Sequence, residues 1–129
     1  MSITPYYLSL VDFNDPDDPI KKMCIPSIAE TDLSGSFDTS GEADNTVVTG
    51  VQHKYRETVI VLSTNHCAMY CRHCFRKRLV GLSDEEIAKY FDEMIEYIKE
   101  HKEISNVLIS GGDSFCNSNA KIEKYLREL

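Results

Sequence analysis

Three closely spaced cysteines constrain this chain more than any other feature of its sequence. Cys67, Cys71 and Cys74 directly follow the continuous apolar, β-branched run 58–63. Such a run predicts a strand that is buried on both faces. Folds with parallel sheets place their chemistry in the loops after the carboxyl ends of the strands. The sequence therefore predicts a functional loop at the end of the first such strand.

The second half of the chain predicts an alternation of strands and helices. Ser83 and Glu86 form a capping-box pattern, and apolar residues at helical spacing follow them. The order strand–helix–strand–helix indicates a parallel sheet. Two parallel strands leave both edges open, so we expect an α/β fold, the first βαβα of a larger, incomplete barrel. The predicted elements are a strand at 58–63, a helix at 83–101, a strand at 106–110 and a helix from about Ser118.

The first fifty residues differ in character from the rest. Residues 1–50 contain nine acids and two lysines, whereas 51–129 contain twelve acids and twelve bases. The segment 31–50 is rich in Asp, Ser, Gly and Thr and predicts a long loop. We therefore expect an N-terminal arm and loop region over 1–50 and the start of the barrel domain over 51–129.

Composition excludes several classes of partner. A net charge of −7 argues against a nucleic-acid backbone as ligand. No apolar run approaches the roughly 18 residues that span a bilayer, and the first residues do not resemble a signal peptide. The odd count of five cysteines does not suggest a disulfide framework. We expect a cytoplasmic protein that binds neither nucleic acid nor membrane, with cysteines that serve as metal ligands.

Three interpretations of the cysteine loop remain open. Three thiolates can bind three irons of a [4Fe–4S] cluster and leave the fourth iron open to a reactant. Zinc could take the three thiolates together with His66 or His73, and the cysteines could also be unliganded. The spacing differs from the paired C-x-x-C units of structural zinc, which favours the cluster. Cys24 and Cys116 are interpreted as isolated small side chains.

Basic residues surround the cysteines. Arg72, Arg76, Lys77 and Arg78 all lie in or just after the loop. A local basic patch in an acidic chain suggests a small anionic ligand. For Lys77 and Arg78 a solvated face is an equally good interpretation.

The run 65–81 resembles the lysine 2,3-aminomutase family of the radical S-adenosylmethionine (SAM) superfamily. The segments 3–7, 14–20, 41–44 and 50–55 resemble that family's N-terminal arm and its approach to the first strand. The resemblance implies an isomerase in which a [4Fe–4S] cluster reductively cleaves SAM to a 5′-deoxyadenosyl radical. The reaction would be a 1,2-amino migration on an amino acid such as lysine or glutamate.

The resemblance also implies roles for individual residues. Ser110–Asp113 is similar to the motif that receives the methionyl amine of SAM, although Ser114 and Phe115 depart from the Pro-Leu that often follows it. Arg72 is expected to support the loop or to pair with a neighbouring acid. The implied site residues are Cys67, Cys71 and Cys74 for the cluster, His73, Gly111, Gly112 and Asp113 for SAM, and Arg76 for the substrate carboxylate.

Pyridoxal 5′-phosphate (PLP) is a second cofactor of the family. The family pattern His-Arg-Tyr-Pro-x-Arg places basic residues on its phosphate. Here Lys54 and Tyr55 are the candidate phosphate contacts, whereas Thr58 stands at the second arginine position and Arg56 starts from a different backbone position. Whether the full-length parent binds PLP therefore stays open.

The implied partners are a small amino-acid substrate, an electron donor such as flavodoxin or ferredoxin, and further copies of the chain. Two alternatives remain. One is a family member that acts on another substrate, such as a protein-bound lysine. The other is a non-catalytic fragment that binds an iron–sulfur cluster or zinc.

Overall fold

A four-stranded mixed sheet lies at the centre of the molecule. The computed structural model describes residues 1–81 and 85–129. The strands are β1 (Thr46–Val48), β2 (Val51–Tyr55), β3 (Thr58–Thr64) and β4 (Asn106–Gly111). The helices are α1 (Pro5–Ser9), α2 (Pro19–Cys24), α3 (Phe91–Glu100) and α4 (Asn119–Glu128). Short 3-10 turns span Ile28–Thr31, Ala43–Asn45 and Ser114–Cys116.

The parallel pair that the sequence predicts is confirmed. The strand order is β1-β2-β3-β4, and β3 pairs with β4 in parallel. The register joins Val59 to Val107 and Leu62 to Ser110. Helix α3 lies between the two strands in the chain, so this part is a βαβ unit followed by α4. The fold class is α/β.

Two antiparallel strands were not predicted. The sequence predicted a loop up to residue 50 and two open edges on the parallel pair, but β1 and β2 form a meander that pairs with β3. The turn Arg56–Glu57 separates β2 from β3, and Gln52 lies opposite Ile60 in the register. An exposed edge of β3 would present unpaired backbone groups, and β2 provides hydrogen-bond partners for them. The expectation of two open edges was therefore wrong.

Helix α3 begins later than predicted. Residues 85–90 are not helical; the predicted cap Ser83 lies outside the described residues. The backbone N–H of Ala88 donates to the carbonyl of Leu62 at 2.8 Å, which commits this segment to the end of β3. Glu86 pairs with Arg78. A long-range backbone contact thus replaces the first turns of the predicted helix.

Helices α3 and α4 cover one face of the sheet. Met94 and Tyr125 are fully buried against it. His101 follows the end of α3, as predicted, and Ser118 caps α4 by accepting from the backbone N–H of Lys121 at 3.3 Å. Leu126, also in α4, is 71% exposed. The main core consists of Val51, Val59, Val61, Ala88, Met94, Ile95 and Tyr125.

A smaller apolar cluster lies where β3 meets the cysteine loop. It consists of Leu62, Leu79 and Ile87. Among residues 1–81 and 85–129, none of the helices combines the length and the apolar character that a membrane crossing requires. The boundary predicted at residue 50 falls between β1 and β2, which are neighbours in one sheet, and it stays a prediction.

Candidate metal centre

The cysteine loop and the glycine loop after β4 lie at the same edge of the sheet. Because β3 and β4 are parallel, their carboxyl ends meet there. The N–H of Gly112 donates to the carbonyl of Thr64 at 2.6 Å, and the N–H of Asp113 donates to that of His66 at 2.8 Å. The structure thus brings together two predicted motifs that are 40 residues apart in the chain.

The two glycines permit this contact. Gly111 has a φ of +124°, and a Cβ atom on it would lie 2.2 Å from the carbonyl oxygen of Thr64. A Cβ atom on Gly112 would lie 2.3 Å from the carbonyl oxygen of His66. Neither distance is compatible with a side chain, so the loops can approach only because both positions are glycine.

The three predicted cysteines line one cavity. Cys67, Cys71 and Cys74 are half-buried free thiols. They surround a space of about 300 Å³ together with Met1, Met69, Tyr70, Lys77 and Val80. We call this space the thiol cavity.

The thiol cavity offers three cysteine donors to a metal site. A structural zinc site needs four donors that converge on one ion. Within the described part of the chain, no group of three or more His, Cys, Asp or Glu side chains is placed to hold a single ion. The proposed zinc ligands His66 and His73 are exposed. A cubane gives each thiolate its own iron, so three separate thiols fit it.

Burial keeps two of these thiols, Cys67 and Cys71, protonated in the metal-free protein. Burial raises the pKa of Cys67 to about 11, and Cys74, Asp113 and Cys116 add to the shift. Burial, with Cys74 as the next cause, also raises the pKa of Cys71. A metal that binds here must displace the protons, so binding releases them.

The two remaining cysteines lie near the cluster cysteines. Cys24 in α2 is buried and lies close enough to raise the pKa of Cys71. Cys116 is exposed and raises the pKa of Cys67. The sequence treated both as isolated, since the helix and turn that bring them close are far away in the chain.

The N-terminal arm supports the cysteine loop. Ile3 forms a β-bridge with Met69, and the N–H of Tyr70 donates to the carbonyl of Ser2 at 2.9 Å. The guanidinium of Arg72 pairs with Glu30, which confirms the supporting role expected of this arginine. It also donates to the carbonyl of Lys22 and the hydroxyl of Ser27.

Arg76 is buried and already has partners. Its Nε donates to Glu42 Oε1 at 2.7 Å, and its Nη1 donates to Ser110 Oγ at 2.9 Å and to the carbonyl of Gly111 at 3.4 Å. No hydrogen bond joins its Nη2 to another residue that the structure describes. Arg76 therefore connects the arm, the cysteine loop and the end of β4.

Glu42 is the residue that sequence reasoning missed. Its other oxygen, Oε2, accepts from Arg78 at 3.0 Å, and Arg78 also contacts Glu86. Arg78 is thus held by acids and is not part of a solvated face, whereas Lys77 is exposed. In the sequence, Glu42 lies in the segment 41–44, which resembles the family's approach to the first strand. That resemblance was the only signal for Glu42, and it did not indicate an arginine partner.

A second cavity brings together the residues expected to meet PLP and substrate. It has a volume of about 330 Å³ and lies between β2, β3 and the arm. Lys54 at its mouth donates to the carbonyl of Ser40 at 3.2 Å, and Tyr55 is 66% exposed. Arg56 does not line it. The lining residues are Ser40, Glu42, Asn45, Gln52, Lys54, Tyr55, Thr58, Ile60, Phe75, Arg76 and Leu108. We call it the Gln52 cavity.

The remaining SAM candidates are exposed. His73 lines a third cavity of about 550 Å³, together with Cys74 and residues of the arm. Asp113 is exposed, and its carboxylate accepts from the N–H of Phe115 at 3.0 Å. The roles expected of His73, Gly111, Gly112, Asp113, Arg76, Lys54 and Tyr55 stay predictions.

Comparison with known proteins connects this arrangement to a family. The model of the 4Fe-4S single cluster domain family matches residues 49–128, which include all three clustered cysteines and the glycine loop. Two L-lysine 2,3-aminomutases are similar along the whole chain. The one from Acetoanaerobium sticklandii is 42% identical, and the one from Clostridium subterminale is 40% identical.

A relative named for another substrate is equally similar. The glutamate 2,3-aminomutase of Clostridioides difficile is 40% identical over 99% of the chain. The chain spans about a third of the length of these curated relatives: 33%, 32% and 31% respectively. The chain therefore belongs to the 4Fe-4S single cluster domain family and to the lysine 2,3-aminomutase family.

Proposed function

We propose that this chain is the cluster-binding part of a radical SAM enzyme, in which Cys67, Cys71 and Cys74 bind a [4Fe–4S] cluster. The observation that carries the proposal is the shared thiol cavity next to the glycine loop. Three cysteine ligands would leave one iron of the cluster open to SAM. When bound, the cluster supplies the electron that cleaves the sulfonium bond to give methionine and a 5′-deoxyadenosyl radical.

The glycine loop orients SAM in this proposal. Gly111 and Gly112 keep side chains away from the ligand, and the carboxylate of Asp113 accepts from the methionyl ammonium. Asp113 is exposed on the same edge of the sheet as the thiols, and its charge raises the pKa of Cys67, which indicates proximity. His73 packs near the adenine.

The substrate in this proposal is an amino acid, and the reaction is a 1,2-amino migration. The relatives are named for lysine and for glutamate, which share an α-carboxylate. A guanidinium binds a carboxylate well because its N–H groups form a planar fork. Arg76 Nη2 is available for this contact, with Nε and Nη1 fixing the orientation of the guanidinium.

PLP fits the Gln52 cavity in part. The cavity has room for a small ring and offers Lys54 and Tyr55 to a phosphate. Thr58 lines it at the position where the family has its second arginine, so one charge is missing. When bound, PLP supplies an imine-forming aldehyde and a conjugated ring. Here Lys54 and Tyr55 would hold its phosphate.

The fold and the partners of the proposal follow from the family. We place β4 against a further parallel strand of a (β/α) barrel in the full-length protein. Leu108 in β4 is 52% exposed, as we expect of an apolar residue that another part of the full-length protein covers. The electron donor would be a flavodoxin or ferredoxin in a reducing cytoplasm, and the protein would form homo-oligomers.

Reductive cleavage of SAM tests the proposal. The chain, reconstituted anaerobically with iron and sulfide, is reduced with dithionite and mixed with SAM. We expect 5′-deoxyadenosine and methionine in equal amounts, measured by liquid chromatography. Cys71→Ala should abolish both products, while the matched variant Cys116→Ala should retain them. The proposal would be contradicted if SAM left the electron paramagnetic resonance spectrum of the loaded cluster unchanged and no 5′-deoxyadenosine formed.

A further inference from the structure

Gln52 is a buried polar residue with an unusual environment. It is 4% exposed, and its amide nitrogen Nε2 has no hydrogen-bond partner in the described part of the chain. Buried side-chain amides almost always have partners, because an unpaired donor loses its hydrogen bond to water. An exception in a packed sheet calls for a functional explanation.

The sheet directs Gln52 into the cavity named after it. β2 pairs with β1 on one side and with β3 on the other. Val51 belongs to the helix-covered core, so Gln52, the next residue along the strand, faces the opposite side and lines the cavity. The pairing of β2 with β3 shifts register between Gln52 and Tyr55, and Lys54 and Tyr55 both line the same cavity. His53 contacts Tyr97 of α3 at 2.7 Å, which identifies its face as the helix-covered one. The opposite face forms the wall of the Gln52 cavity.

The polar side chains that line the Gln52 cavity are of two kinds. Gln52, Arg76 and Glu42 are all buried, whereas Lys54 and Tyr55 are exposed at the entrance. Two cations, Arg76 and Lys54, line the cavity against one acid, Glu42, which pairs with Arg76 and Arg78. The lining therefore carries one more positive than negative charge, which favours an anion inside the cavity.

We propose that Gln52 is a substrate-binding residue: its Nε2–H donates to an oxygen of the carboxylate that Arg76 Nη2 contacts. The inference rests on the proposed amino-acid substrate. Arg76 supplies charge, while Gln52 supplies a neutral donor from the neighbouring strand, so the two groups approach the carboxylate from different elements. Gln52 thereby favours a ligand whose anionic group reaches the depth of the cavity.

Binding of three probes to the cluster-loaded chain tests the role of Gln52. Titration calorimetry compares L-lysine, cadaverine, which lacks the carboxylate, and inorganic phosphate. Gln52→Met keeps length and removes the donor, so L-lysine should bind about tenfold more weakly, as expected for one hydrogen bond to a charged acceptor. Gln52→Glu should weaken it further through charge repulsion. Cadaverine should bind weakly to every form, and the control Asn119→Met, outside the cavity, should change nothing.

Thermal unfolding gives a second readout. Because Gln52→Met replaces an unpaired buried donor with an apolar group, its Tm should rise even as L-lysine binding weakens. A purely structural glutamine would give a lower Tm, and that result would overturn the inference.

The outcomes separate the inference from the proposed function. Equal L-lysine affinity in wild type and Gln52→Met overturns the role of Gln52 and leaves the amino-acid substrate intact. If wild type binds phosphate but not L-lysine, and Gln52→Met weakens phosphate, Gln52 is an anion contact but the carboxylate assignment is overturned. Failure of wild type to bind any probe overturns both.

Discussion

The ion pair between Arg76 and Glu42 distinguishes buried from exposed charges in this molecule. Both side chains are almost fully buried, at 7% and 6% exposure, whereas the pair Arg72–Glu30 is 28% and 37% exposed. A charge that loses its buried partner stays desolvated, while an exposed charge regains water. The two pairs therefore differ in what their loss costs.

Glu42→Ala should lower the free energy of unfolding by about 3–5 kcal/mol, because it leaves Arg76 and Arg78 without their shared acid. The matched variant Glu30→Ala should lower it by at most about 1 kcal/mol. Urea unfolding of the cluster-free chain measures both. Equal losses in the two variants would show that Glu42 does not hold a buried charge.

At the scale of the residue, burial and partners were the least predictable features. The residues around the cysteines identified Arg76 as a functional candidate, and the structure places it beside the cysteine loop. Its partner Glu42 is 34 residues earlier in a segment that sequence patterns describe only as a loop. Gln52 lies in a polar stretch, and its burial depends on strands that pair with β2 on both sides.

At the scale of the element, the contact between the cysteine loop and the glycine loop decides whether the site forms. Gly112 has an ordinary backbone conformation, so the effect of a side chain there would be steric only. Gly35 in the arm has open space around it, although its φ of +98° is unfavourable for alanine. Alanine substitutions at these two glycines therefore distinguish the effect of a steric clash from the effect of backbone strain.

Gly112→Ala should prevent cluster assembly, because its Cβ would lie 2.3 Å from the carbonyl of His66 and force the loops apart. Gly35→Ala should assemble the cluster normally and lose only about 1 kcal/mol or so of stability through strain. The iron and acid-labile sulfide content per chain after reconstitution measures assembly. A normal cluster in Gly112→Ala would mean that the loops can separate without harming the site.

The helices and strands that a local sequence pattern specifies were predicted, and those that depend on contacts between distant parts of the chain were not. β3 and β4 are continuous apolar runs, and α4 has its serine cap, so each has a sufficient local pattern. β2 alternates apolar and polar residues weakly and forms because β3 offers it an edge. The start of α3 was misplaced because the bond from Ala88 to Leu62 outweighs local helix propensity.

At the scale of the whole molecule, the acidic arm and the sheet form one site together. The arm contributes Glu30 and Glu42 to arginines of the cysteine loop, and its first residues pair with that loop. The division at residue 50 that composition suggested therefore separates segments that cooperate around the thiols. The chain order alone could not show this, because each contact joins residues more than 30 positions apart.

The central claim is that Cys67, Cys71 and Cys74 together hold one [4Fe–4S] cluster. Iron and acid-labile sulfide content after anaerobic reconstitution tests it most directly. We expect about four irons and four sulfides per chain, with loss of both in Cys67→Ala, Cys71→Ala or Cys74→Ala and retention of both in Cys24→Ala. One tightly bound zinc per chain and no uptake of iron would contradict the account.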